Sequence, residues 1–132
     1  MGLVLGFMQW LVLRDRLKGA GWWVGASILG WGAGFTAGVN LAQRLGMVEA
    51  EFGVVVGVAT GLCLGFLQWL VLRQQVTNAG WWVIASTFAW ASSLLFYRPG
   101  ISAVGVLYGI LSGIVTGTVL LWLVFRPVPD EA

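Results

Sequence analysis

Residues 2–14 read GLVLGFMQWLVLR, and residues 61–73 read GLCLGFLQWLVLR. The likeness runs on. Ala20-Gly21-Trp22-Trp23-Val24 returns as Ala79-Gly80-Trp81-Trp82-Val83, Ala26-Ser27 as Ala85-Ser86, and Trp31 as Trp90. At an offset of 59, residues 2–31 match residues 61–90 at 19 of 30 positions. A repeat of this period sets an architecture before any single residue is weighed. It does not by itself name a chemistry.

The surrounding chain is apolar. Of 132 residues, 59% are hydrophobic and 9% charged, and the mean hydropathy is +0.91. Soluble domains average about 25% charged residues. A chain this short leaves much of its surface outside any single core, so lipid is the expected solvent. The net charge of +2 comes from basic residues scattered singly, which is not a nucleic-acid footprint. The lone cysteine, Cys63, excludes an internal disulfide and a cysteine-built metal site. There is no histidine, so no haem or zinc is expected.

A helix needs roughly 20 apolar residues to cross the hydrocarbon core. Residues 20–42, 52–72, 79–97 and 101–125 meet that length. Residues 1–13 are apolar but shorter, and Met1 aligns with Thr60 inside the second span. The first helix thus lacks the outer half of its copy: either the chain starts part-way through a helix, or residues precede this sequence. The N-terminus lacks the basic region of a signal peptide.

The expected fold is all-α, a polytopic transmembrane bundle of about five helices in a single domain, 1–132. A parallel-repeated helical hairpin forms units 1–51 and 52–100, with a partial third copy at 101–126 and a tail at 127–132. Trp122-Leu123-Val124-Phe125-Arg126 echoes Trp69-Leu70-Val71-Leu72-Arg73, which puts Leu121 where the glutamine of the motif would be. Arg14, Arg16 and Lys18 in the first connection, with Arg73 and Arg126, place that end in the cytoplasm by the positive-inside rule. The N-terminus then faces out and the C-terminus in, in a bacterial inner or photosynthetic membrane.

Glycines recur every fourth residue: Gly53, Gly57, Gly61, Gly65; Gly105, Gly109, Gly113, Gly117; and Gly30, Gly34, Gly38. Residues four apart share a helix face, and small residues let helices in lipid approach closely. These rows are expected to pack helices within the bundle or against a partner subunit. The acids, Asp15, Glu49, Glu51, Asp130 and Glu131, all lie in connections or the tail. No buried carboxylate is therefore available to carry ions, and no hydroxyl has a base arranged to activate it.

Nine tryptophans remain to be explained. Trp10, Trp22, Trp23, Trp69, Trp81, Trp82 and Trp122 fall near the basic end, as an interfacial belt would. Trp31 and Trp90 lie deeper and are expected to wedge between helices or line a cavity. Arg14, Arg73 and Arg126 close helices and are expected to reach headgroup phosphates as interfacial anchors. Gln9 and Gln68 lie five residues before their arginines. An amide at that depth needs partners: an interhelical hydrogen bond, headgroups or water, or a metallated pigment. Asn40 is a comparable candidate near the outer face.

The GxxxGFxQWLVLR segment followed by AGWWV resembles uncharacterised tandem-repeat, multi-span membrane proteins of bacteria, photosynthetic ones included. That resemblance implies a membrane fold and carries no activity. The expectation is a non-enzymatic integral membrane subunit. It packs through its glycine faces into a homo-oligomer or a larger complex, and the resemblance points to a photosynthetic or respiratory one. Two alternatives are a channel or carrier for a small solute or lipid, and a pigment or quinone binder built on Trp31, Trp90, Gln9 and Gln68. A pigment or lipid is the cofactor class expected, and the partners are the bilayer, other membrane subunits or a second copy.

Overall fold

A computed structural model describes the backbone of residues 2–95 and 102–125, and most of their side chains. The described residues form five α-helices and no strand: α1 (Gly2–Leu13), α2 (Gly21–Arg44), α3 (Glu49–Leu72), α4 (Gly80–Leu95) and α5 (Ser102–Phe125). Each hydrophobic segment of the sequence is thus one helix. Among the described residues, α3 alone is long and apolar enough to cross a membrane, with a mean hydropathy of 2.1 over its best window. α2 has the same 24-residue length, but its six glycines carry no side chain and Asn40, Gln43 and Arg44 near its end are polar. Gly113–Phe125 of α5 is an apolar but shorter stretch. Arg98, Arg126 and the tail 127–132 lie outside the described residues, as do the surroundings of Gly105 and Gly109.

The two copies of the repeat fold alike down to their turns. After α1, the amides of Arg16 and Leu17 bond the Leu13 carbonyl; after α3, those of Gln75 and Val76 bond the Leu72 carbonyl. Trp22 N–H then bonds Gly19 O, and Trp81 N–H bonds Asn78 O. The turn requires a left-handed residue, which is Gly19 at φ 76° in one copy and Asn78 at φ 61° in the other. These are the two residue types that reach that region at least cost. The α2–α3 connection differs. Its helix ends in a Schellman cap, with Gly46 at φ 65°, Met47 N–H on Ala42 O and Gly46 N–H on Gln43 O. Glu49 and Glu51 open α3, where negative charge complements the helix dipole.

Neighbours in sequence are neighbours in space, each helix packing on the next. At the end that carries Arg14, Arg16, Lys18 and Arg73, the row draws together around one core. Leu13, Leu17, Ala20, Trp23, Leu72, Ala79, Trp82, Leu120 and Leu123 are all buried there, and all five helices contribute. Trp23 and Trp82, the equivalent indoles of the two copies, pack with centroids 5.6 Å apart and planes tilted by 52°. The Arg16 guanidinium lies 4.4 Å over the Phe125 ring, so the first turn touches the end of the last helix.

The glycine rows are what let the central helices meet. A Cβ on Gly30, Gly34 or Gly38 would lie 2.6–2.7 Å from the Cα of Leu64, Thr60 or Val56. One on Gly57 or Gly61 would lie 2.7 Å or 2.5 Å from the Cα of Ala91 or Thr87, and one on Gly65 3.0 Å from that of Val83. α3 therefore presents one face to the α2 glycines and its own glycines to α4. Gly53 is buried on the same helix.

α5 departs from this pattern and corrects the alignment made from its tryptophan. Aligned on the glycine rows, α5 follows α3 at an offset of 52, not the 53 that Trp122 suggests. Burial follows the glycines: Leu120, opposite Gln68, is 2% exposed, whereas Leu121 is 45% exposed. Leu120, not Leu121, occupies the place of the glutamine. At about 100° per residue, a one-residue error turns the helix to another face.

Candidate functional site

The repeated glutamines meet at the centre of the basic end. Gln68 is 1% exposed. Its Nε2 donates to Ser27 Oγ at 2.9 Å and, more distantly, to Gln9 Oε1 at 3.4 Å. Its Oε1 accepts from Trp82 Nε1 at 2.9 Å. Gln9 Oε1 accepts from Trp23 Nε1 at 3.0 Å, and Ser27 Oγ donates to the Trp23 carbonyl one turn back. The network therefore joins α1, α2, α3 and α4. Each glutamine serves the tryptophan 14 residues later in its own hairpin, and Gln68 also reaches into the first hairpin through Ser27.

This geometry explains why the amides sit so deep. Indole N–H groups buried beside Leu13 and Leu72 need acceptors, and a glutamine carbonyl supplies one in each copy. Both carbonyl oxygens thus accept from protein donors. Trp23 and Trp82 were expected in an interfacial belt. They turn inward instead, because the helix phase that exposes Trp22 and Trp81 buries the next residue. The sequence held a signal for the pairing: glutamine, tryptophan and serine recur at equal spacings in both copies.

The repeat also leaves one polar atom without its counterpart. Ser86 matches Ser27 and is 1% exposed, yet its Oγ has no hydrogen-bond partner among the described residues. In the first copy that position is served by the glutamine of the following copy. In the second copy the following helix offers Leu120.

The remaining candidates lie apart from this network. Trp31 stacks on Phe35 at 5.1 Å, with its Nε1 buried and without a hydrogen-bond partner among the described residues. Trp90 lends its backbone carbonyl to the contact with Gly57. Asn40 is exposed and its amide donates to Thr36 O within α2. Arg14 reaches Asp15 at 3.8 Å and lies 5.8 Å over the Trp10 ring, while Arg73 lies 5.2 Å over Trp69. The repeat thus pairs each arginine with the tryptophan four residues before it. Cys63 is half-buried, its Cβ facing Gly34.

A second polar contact escaped the sequence reading. Gln75 in the α3–α4 turn clasps the backbone of Lys18 in the α1–α2 turn. Lys18 N–H donates to Oε1 at 2.6 Å, and Nε2 donates to the Lys18 carbonyl at 2.8 Å. The two turns are tied by one amide side chain, and nothing in the spacing of Gln75 announces it. No family model, curated protein or solved structure matches the chain.

Proposed function

We propose that this chain is a non-enzymatic integral membrane subunit whose α5 glycine face docks against a second copy or a larger membrane assembly. The observation that carries the docking is at Gly113 and Gly117. A Cβ on either meets no atom of the described residues within 4 Å, whereas the α2 and α3 glycine rows are closed by a neighbouring helix. The equivalent row on α3 is covered by α4. On α5 no further described helix takes that role, so a flat face capable of close approach is left open.

The membrane placement is supported by the outer surface, where Met8, Leu29, Phe66, Phe88, Ile110 and Ile114 are exposed. Exposed apolar surface spread around a bundle whose interior also holds Thr60, Gln68 and Ser86 fits lipid. The basic turns 14–20 and 73–79 then lie on the cytoplasmic side, and Glu49 and Glu51 on the other.

Gly113→Leu and Gly117→Leu should reduce the size of the complex extracted in mild detergent, read by light scattering, while leaving the monomer folded. An unchanged complex would sink the docking reading.

A further inference from the structure

We infer that the flank between the start of α2 and the end of α3 binds one anionic phospholipid, its acyl chain in the groove and its headgroup at Lys18. This rests on the membrane placement proposed above. The groove has a volume of about 500 Å³, within the range of about 300–1,000 Å³ usual for small-ligand sites. Leu29, Leu70 and Gly25 give it an apolar floor, and Trp22, Lys18 and Gln74 surround its polar end. From Trp22 to Leu29 it runs about 10 Å along α2. A lipid tail beneath a phosphate has that distribution of polarity.

Three observations fix the charge of the occupant. Arg14, Arg16 and Arg73 lie over aromatic rings, and Arg14 also meets Asp15. Among the described residues no carboxylate pairs with Lys18, which borders the groove. The first turn of α2 lies beside it, and that helix has no side-chain cap. The Trp22 and Trp23 amides bond the Gly19 and Ala20 carbonyls, so what that end offers an anion is the helix dipole. Basic pockets between transmembrane helices are suited to anionic headgroups.

The repeat supplies an internal comparison. The second hairpin keeps Trp22 as Trp81 and Ala26 as Ala85 but replaces Lys18 with Thr77, Gly25 with Ile84 and Leu29 with Phe88. The two copies therefore differ where the groove is opened and where it is charged. A Cβ on Gly25 meets nothing within 4 Å, so the missing side chain leaves space that the helix contact does not use.

The test is native mass spectrometry of the chain in mild detergent, titrated with phosphatidylglycerol or phosphatidylcholine, alongside flotation with vesicles of the same lipids. The wild type should retain one phosphatidylglycerol with about fivefold preference over phosphatidylcholine. Lys18→Gln, which leaves the backbone clasp to Gln75 intact, should abolish the preference. Gly25→Ile should weaken both lipids at least about tenfold by filling the floor. Equal retention of phosphatidylglycerol by Gly25→Ile and wild type, or a preference that survives Lys18→Gln, overturns the inference and leaves the membrane reading standing. A chain that does not float with vesicles overturns both.

Discussion

Gln68 carries three polar contacts in a space that water does not reach, and its neighbours differ in what they lose when it is disturbed. Ser27→Ala removes an acceptor from an amide donor that has only a 3.4 Å alternative in Gln9. An unsatisfied buried donor costs about 1–3 kcal/mol, and hydrogen bonds between helices in lipid average somewhat less. Ser86→Ala deletes a hydroxyl that already lacks a partner, so the expected change is neutral or slightly stabilising. Denaturation in detergent micelles distinguishes the two; equal losses would mean that the serines do not play the unequal roles described.

At the scale of the helix, a glycine row has two different uses in this protein. Gly34 and Gly61 hold α2 on α3 and α3 on α4, with the opposing Cα atoms 2.6 Å and 2.5 Å from where a Cβ would sit. The obstacle is backbone, which cannot turn aside as a side chain does. Gly34→Leu and Gly61→Leu should each destabilise the monomer by more than about 3 kcal/mol. Gly113→Leu should leave monomer stability within about 0.5 kcal/mol, since nothing described opposes it. Thermal melts of the three variants, each as monomer in micelles, check this. The row pattern was legible in the sequence, but its division into closed and open faces was not. GxxxG spacing states that a face is flat, and only the neighbouring helices state whether it is covered.

Across the whole molecule, the two basic turns lie at one end and are tied by Gln75. They must therefore share one side of any membrane the bundle crosses. With Cys63 replaced by serine, cysteines introduced at Asp15 and at Thr77 should react with an impermeant maleimide only from the cytoplasmic face. One at Gln43 should react only from the opposite face. Labelling of Asp15→Cys and Gln43→Cys from the same side would contradict the proposed topology.

The sequence by itself determined the elements to within a few residues: five helical segments, with α3 opening at Glu49 rather than at residue 52, and two hairpins that are copies. These are local properties, set by apolar length and by the repeat. Tertiary structure alone decided that the glutamines serve Trp23 and Trp82, that Ser86 is left unpartnered, that α5 follows the glycine register and that a groove opens beside Gly25. Each of those depends on the rotation of a helix about its axis and on what packs beside it. A rotation of one residue moves a side chain about 100° around the helix, which spacing within a single segment does not specify.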